Sequence, residues 1–213
     1  LGPALHERIA AGGYPAALKL PPGRRRARWY EGYLETIVQR DVREFTRIAS
    51  LDVMPRLLAV AAAQTARLVN VSDLAVPFAL SRPTIRDYLT LLSQVFLLEE
   101  LPPWHANRMS RLVKTPKLHL GDTGLACALL GADASALRAD RALFGFLLET
   151  FVFQELKRQA SWHEDALAFC HFRDRDRYEV DIVVERGAHA VAGIEIKAAA
   201  TVTAADFRGL RKL

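Results

Sequence analysis

Apolar residues recur at helical spacing through the first third of the chain, from about Trp29 to Ile48 and again from about Met54 to Leu68. In the last third, a long helical pattern from Ala142 to Ala160 is followed by segments in which apolar and polar residues alternate, as in β-strands. These strand segments are ALAFCHFR, YEVDIVVE and AVAGIEIK, and a closing helix follows in TAADFRGLRKL. The pattern therefore predicts a helical first third and an order of helix, three strands and helix at the end.

The middle of the chain carries the signals of two short helices joined by a tight turn. Ser72 and Ser81 can each cap a helix, and Pro83 falls in the first turn of the second helix, where its missing N–H is not needed. Two such helices make a helix-turn-helix, and the segments VFLLEEL and PKLHL can supply the two strands of a wing. We therefore predict a winged helix over roughly residues 50–125.

The length of 213 residues and the 51% hydrophobic content allow more than one module. We predict the α+β class, with a helical segment over 1–49, a winged helix-turn-helix domain over 50–130 and an α/β core over 131–213. No apolar run is long enough to cross a bilayer, and the N-terminus lacks the pattern of a secretion signal. We therefore expect a cytoplasmic protein without a membrane partner. Cys127 and Cys170 lie far apart in apolar segments and suit reduced, buried thiols.

A formal charge of +5 favours a polyanionic partner, and DNA fits the predicted winged helix. The second helix would present Arg82, Thr84 and Arg86 near its N-terminus, where recognition helices meet DNA. The wing would present four cations to phosphates, Arg108, Arg111, Lys114 and Lys117. Winged helices also serve as protein-binding or dimerisation modules, so a protein partner or a homo-oligomer stays open. A further basic run, Arg24 to Trp29, fits a solvated surface as well as a polyanion contact.

Three charged residues lie on the last two predicted strands, Asp181, Glu195 and Lys197. If the strands keep one apolar face, with Val180, Ile182 and Val184 together, three registers are possible. The first sets Asp181 opposite Glu195 with Cβ atoms about 5 Å apart, and such a pair suits Mg²⁺. The second sets Asp181 against Lys197 as an ordinary ion pair, and the third sets it against Gly193.

The long helix adds one carboxylate to this set. Glu149 projects from an apolar stripe, because its neighbours at three and four residues are Gly145, Phe146, Val152 and Phe153. A carboxylate at this position needs a partner. By contrast, Glu155 has Arg158 beside it and can face water.

Glu149 on a helix, Asp181 on a strand and Glu195-x-Lys197 on the next strand resemble the motif of the PD-(D/E)xK nuclease superfamily. The order of helix, three strands and helix resembles the core of that superfamily, although the core strand expected after the last helix is missing. The resemblance implies a Mg²⁺ ion held by Asp181, Glu195 and the backbone carbonyl of Ile196. Lys197 would then orient the attacking water, and Glu149 would complete the metal shell.

A wider resemblance, to the C-terminal region of a prokaryotic AAA-type ATPase family, covers almost the whole chain. It rests on five segments in order, GGYPAAL, YLETIVQRDV, VSDLAVPFALSRPTIRDYLTLL, TPKLHLGDTGL and LLETFVFQEL…EVDIVVE…IEIK. Members carry a P-loop domain upstream and a C-terminal domain of unknown function. The chain has no Gly-Lys dipeptide and hence no Walker A loop, so ATP is expected only in an upstream ATPase domain of the same protein.

Two functions follow from these resemblances. The chain is either a DNA-binding winged helix joined to a Mg²⁺-dependent nuclease that hydrolyses DNA, or a non-catalytic DNA-binding or protein-interaction module of an ATPase. Convergence of Glu149, Asp181, Glu195 and Lys197 on one solvent-accessible point would favour the nuclease. Pairing of Asp181 with Lys197, with Glu149 directed elsewhere, would favour the non-catalytic module.

Overall fold

The computed structural model describes residues 2–42, 52–105, 115–187 and 190–213, and this part of the chain has the α+β fold expected from the sequence. The α-helices are α1 (Pro3–Ala11), α2 (Pro15–Leu18), α3 (Arg24–Ile37), α4 (Val53–Ala63), α5 (Val71–Ala75), α6 (Arg82–Gln94), α7 (Thr123–Leu129), α8 (Ala134–Ala139), α9 (Arg141–Ala160) and α10 (Arg208–Lys212). The strands are β1 (Arg67–Leu68), β2 (Leu98–Leu101), β3 (Lys117–Leu120), β4 (Leu167–Arg173), β5 (Glu179–Arg186) and β6 (Ala190–Ile194). Among the described residues, no helix combines the length and the apolar character that a membrane span requires.

The segment from α4 to β3 has the element order and the strand pairing of a winged helix. Strand β3 lies between β1 and β2, and both pairings are antiparallel. Ser81 caps α6 as expected, because its hydroxyl accepts a hydrogen bond from the Thr84 N–H. The cap of α5 is Asn70 rather than Ser72, since the Asn70 side chain reaches the N–H groups of Ser72 and Asp73.

The main apolar core is shared by all three predicted segments. It contains Ile9 and Tyr30 from the N-terminal helices, Leu89 from α6, and Phe144 and Leu147 from α9. The long helix therefore packs on the winged helix as well as on the second sheet, and this places α9 between the two halves of the molecule.

The second sheet has the order β4-β5-β6 and is joined to the winged helix through β4. The chain just after β2 runs beside β4, because the His171 N–H donates to Pro102 O and the Trp104 N–H donates to His171 O. On the other side, Gly209 of α10 lies so close to β5 that an added Cβ would meet Glu179 O at 1.8 Å. These contacts bring β2 and β3 close to the functional strand β5.

Strand β5 contains the feature that decides where Asp181 points. Its pairing with β6 sets Ile182 opposite Ile194 and so Asp181 opposite Glu195, which confirms the first of the three registers. Its pairing with β4 shifts by one residue, however, so that Asp181 and Ile182 both lie opposite His171. The predicted shared face is therefore wrong, because Val180 and Ile182 pack in different apolar clusters.

Candidate functional site

The Lys117 ammonium lies at the centre of the predicted carboxylate cluster. Its Nζ donates to Glu149 Oε1 at 2.8 Å and to Asp181 Oδ1 at 3.2 Å. Glu179 Oε1 is 2.8 Å from the same nitrogen. The centre thus joins β3 of the winged helix to α9 and to β5, and we call these four residues the Lys117 centre.

The surface position predicted for Lys117 on the wing is wrong. Its side chain is only 3% exposed. Lys117 pairs with Leu101 of β2, and the chain continuing from β2 lies beside β4, so the side chain is brought to the second sheet rather than to solvent. Three carboxylates compensate for the loss of water around the ammonium, as a buried charge requires.

The charges of the Lys117 centre are strongly coupled. Burial raises the pKa of Glu149 to about 8, although the nearby ammonium acts in the opposite direction. Burial alone would lower the pKa of Lys117, but the attraction of Glu149, Asp181 and Glu179 overcomes it and raises that pKa. For Glu179, burial is likewise outweighed by Lys117, and its pKa is lowered. At neutral pH we therefore assign a charged Lys117 and an ionised Glu179, and Glu149 is the carboxyl group whose pKa burial raises.

Glu195 and Lys197 bind each other beside the Lys117 centre. Lys197 Nζ donates to Glu195 Oε1 at 2.5 Å, and the Lys197 side chain is 39% exposed. Both residues line a polar cavity of about 370 Å³, together with Glu179, Asp206 and Arg208. Glu195 Oε2 is buried and has no hydrogen-bond partner among the described residues.

The four predicted catalytic residues therefore do not converge on one solvent-accessible point. Glu149 and Asp181 meet on the Lys117 ammonium, whereas Glu195 and Lys197 bind each other at the cavity. The expectation that Glu149 needs a partner is confirmed, but that partner comes from the winged helix. The structure thus agrees with neither of the two arrangements that were expected to separate nuclease from scaffold.

The predicted Mg²⁺ site contains carboxylate oxygens of the expected kind, but hydrogen-bond donors already occupy most of them. Asp181 and Glu195 lie opposite each other, but Asp181 Oδ1 accepts from Lys117 and Asp181 Oδ2 accepts from the Ile196 N–H at 2.8 Å. Among the described residues, no group of three or more His, Cys, Asp and Glu side chains is arranged to hold a metal ion. As arranged, these residues do not fit a Mg²⁺ ion, because both oxygens of Asp181 are engaged by hydrogen-bond donors and one oxygen of Glu195 is engaged by Lys197.

The predicted DNA-binding residues of α6 lie at its first turns. Arg82 and Arg86 are exposed, and Thr84 is half-buried with its hydroxyl 2.8 Å from that of Ser81. Arg86 donates to Glu100 Oε1 of β2 at 2.8 Å, so part of its charge is neutralised. Three of the predicted wing cations, Arg108, Arg111 and Lys114, lie outside the described residues.

Asp122 is a structural residue that the sequence reasoning missed. Its carboxylate accepts from the Gly13 N–H at 2.6 Å and from the Leu125 N–H at 2.9 Å, so it caps α7 and holds the N-terminal segment. Gly12 has φ of 73°, and a Cβ there would lie 2.3 Å from Asp122 Oδ1. The signal was present in the sequence, because GGYPAAL and TPKLHLGDTGL are two of the segments that carry the family resemblance. The second of these segments also contains Lys117.

Fold and site together define an α+β chain in which β3 of the first sheet supplies the cation for a cluster of carboxyl groups on α9 and β5. Residues 2–136 match a family described as a domain of unknown function, DUF8612, and residues 144–213 match the domain of unknown function DUF4143. Because the first match covers more than half of the chain, the chain belongs to the DUF8612 family. DUF4143 is a domain found in AAA-ATPase-associated proteins.

The curated relatives are longer than this chain. Two uncharacterised proteins, one of Mycobacterium bovis and one of Mycobacterium tuberculosis, are each 27% identical to it over 190 residues. The match covers 89% of this chain but 42% of each relative. No solved structure matches the chain significantly.

Proposed function

We propose that this chain is a non-catalytic module of an AAA-type ATPase, in which the winged helix binds duplex DNA and the nuclease-like half is a scaffold. The single observation that carries the proposal is the position of Lys117 Nζ between Glu149, Asp181 and Glu179. A nuclease of this type needs carboxylate oxygens that are free to bind a metal ion. Here Asp181 Oδ1 and Glu149 Oε1 hold a buried ammonium instead.

The ammonium would be hard to displace. A buried ion that loses its partners keeps a desolvation penalty of several kcal/mol, so a metal could enter only if Lys117 left the site for water. Lys117 lies on a paired strand and its side chain is 3% exposed, so such a movement would disturb β3. The arrangement therefore favours a structural role, in which the charge centre fixes the second sheet to the winged helix.

DNA binding is supported by the start of α6. Arg82 is exposed in the first turn, and the Ser81 cap fixes where this turn begins. In winged helices, the residues at this position of the second helix reach base edges in the major groove. The formal charge of +5 favours the same partner.

Cleavage is tested on supercoiled plasmid with Mg²⁺ or Mn²⁺, using the wild-type chain and the variants Lys197→Ala and Lys212→Ala. We expect no metal-dependent product from any of them, and no Mg²⁺ binding to the wild type by calorimetry. Metal-dependent cleavage that Lys197→Ala abolishes and Lys212→Ala retains would replace the scaffold by a nuclease.

Binding is tested by fluorescence anisotropy with a panel of duplexes. Arg82→Ala should lower discrimination between sequences, by about 1–3 kcal/mol if the side chain makes a bidentate base contact. Arg138→Ala, an exposed arginine of α8, is the matched control and should change nothing. A wild-type chain that binds no duplex would favour the protein-interaction alternative.

A further inference from the structure

Four exposed cations surround the turn between α2 and α3, Lys19, Arg24, Arg25 and Arg28. We call this surface the basic patch. None of the four has a carboxylate within ion-pair distance in the part of the chain that the structure describes. Two other exposed cations, Arg86 and Arg158, have carboxylate partners, whereas single exposed arginines such as Arg82 and Arg138 have none among the described residues. The charge of the basic patch is therefore directed to solvent without internal compensation.

The cations of the basic patch destabilise the start of helix α3, which carries three of them. The first turn of α3 contains no acidic residue, and α3 has no side-chain cap. Cations at the positive end of a helix dipole are unfavourable, and Arg24 and Arg28 repel each other at i and i+4. Helix stability therefore does not explain why these arginines are here, and a residue pattern that breaks such local rules is expected where a surface has a function.

Arg26 fixes the backbone that carries the basic patch. Its Nε donates to Ala17 O at 3.2 Å and its guanidinium donates to Leu20 O at 2.7 Å, so the turn after α2 is fixed to α3. The acids of the helix, Glu31 and Glu35, lie in later turns. The patch is thus a preorganised cationic surface at one end of α3.

We infer that the basic patch binds the phosphate backbone of duplex DNA, as a contact surface separate from the start of α6. The inference rests on the proposed DNA binding and adds to it. An anionic membrane would need apolar side chains beside the cations, and Leu18 is the one exposed large apolar residue next to the patch in the described chain. Phosphate contacts require only accessible cations, and these are what the patch presents.

The test compares two triple variants of the 213-residue chain in a salt series of duplex binding. One carries Arg24→Ala, Arg25→Ala and Arg28→Ala. The matched control carries Arg138→Ala, Arg175→Ala and Arg211→Ala, three exposed arginines outside the patch. Both lower the formal charge from +5 to +2, since three cations are removed from each. The patch variant should lower the log–log salt slope by about 2.7 units, at about 0.9 per phosphate, and the control should leave the slope unchanged.

Three results would overturn the inference. They are an unchanged slope in the patch variant, an equal change in the control, or a loss of binding to phosphatidylserine vesicles with DNA binding intact. Far-UV circular dichroism checks folding, and the single variant Arg25→Glu replaces the triple variant if that does not fold. Arg82→Ala separates the two proposals. If Arg82→Ala leaves duplex affinity and sequence discrimination unchanged while the patch variant lowers the salt slope, the basic patch contacts DNA and the start of α6 does not.

Discussion

The Lys117 centre and the Glu195–Lys197 pair contain the same chemical groups, but the lysine is buried in the first and partly exposed in the second. Lys117 is 3% exposed and contacts three carboxylates, whereas Lys197 is 39% exposed and contacts one. Asp181 and Glu195 each lie next to the paired residues Ile182 and Ile194, yet the first bonds to Lys117 and the second to Lys197. The difference shows that adjacency in a strand register does not give two carboxylates the same partner, because the cation of Asp181 comes from the distant strand β3 and the cation of Glu195 comes from its own segment.

The largest effect is expected when the buried cation is removed. Lys117→Met keeps the length of the side chain but leaves Glu149 and Asp181 without their partner, which should cost about 3–5 kcal/mol of unfolding free energy. The measurement is urea denaturation at pH 7. Lys197→Met is the matched control and should cost about 0–1 kcal/mol, because the Lys197 side chain is 39% exposed. Equal losses would mean that the two centres contribute alike.

A second variant acts on the packing of α10 against β5, beside the cavity that Glu195 and Lys197 line. Gly209→Ala places a Cβ 1.8 Å from Glu179 O, so α10 must move away from β5, and overpacking of this kind costs about 1–3 kcal/mol. Gly145→Ala in α9 is the control, because a Cβ there meets no atom within 4 Å. It should stabilise the helix by roughly 0.5–1 kcal/mol. A Gly209→Ala protein as stable as wild type would show that α10 does not need its close approach to β5.

The pH dependence of stability reports on Glu149. Its pKa rises from an ordinary 4.5 to about 8 in the folded chain, so the folded state holds a proton that the unfolded state releases between these values. Its contribution is complete below pH 4.5 and is lost as the pH rises towards 8, by at most about 1.4 kcal/mol per pH unit.

Glu149→Gln should therefore remove this decline, so that the variant gains on the wild type as the pH rises from 5 to about 8. Thermal unfolding across that range measures the effect. The control is Glu155→Gln on the partly exposed side of α9, which should keep the wild-type profile. Parallel profiles for wild type and Glu149→Gln would show that Glu149 is ionised throughout.

The smallest effect concerns the coupling within the exposed pair. A double-mutant cycle of Glu195→Ala and Lys197→Ala should give a coupling energy below about 1 kcal/mol, because the Lys197 side chain is 39% exposed and water screens its charge. The corresponding cycle of Glu149→Ala and Lys117→Ala should give a larger value within the range of about 0.5–3 kcal/mol for contacting residues. A larger coupling energy for Glu195 and Lys197 than for Glu149 and Lys117 would show that the pair at the cavity stabilises the fold more.

Local pattern determined much of the architecture. The predicted helix from Ala142 to Ala160 is observed as Arg141–Ala160, and the three strands and the closing helix follow in the expected order. The register of β5 and β6 was among three alternatives, and the need of Glu149 for a partner was read from its apolar neighbours. Each of these depends on residues within a few positions of one another or on one hairpin, where periodicity carries the information.

The identity of the site was decided by the tertiary structure. Lys117 is 32 residues from Glu149 and 64 from Asp181, and no local pattern indicates that it leaves the wing to lie between them. The shift in the β4–β5 pairing also depends on strand contacts, and it separates Val180 from Ile182. A sequence shows which side chains carry charge, whereas burial among distant elements decides which of those charges must meet, because an ion removed from water is stable only beside its partner.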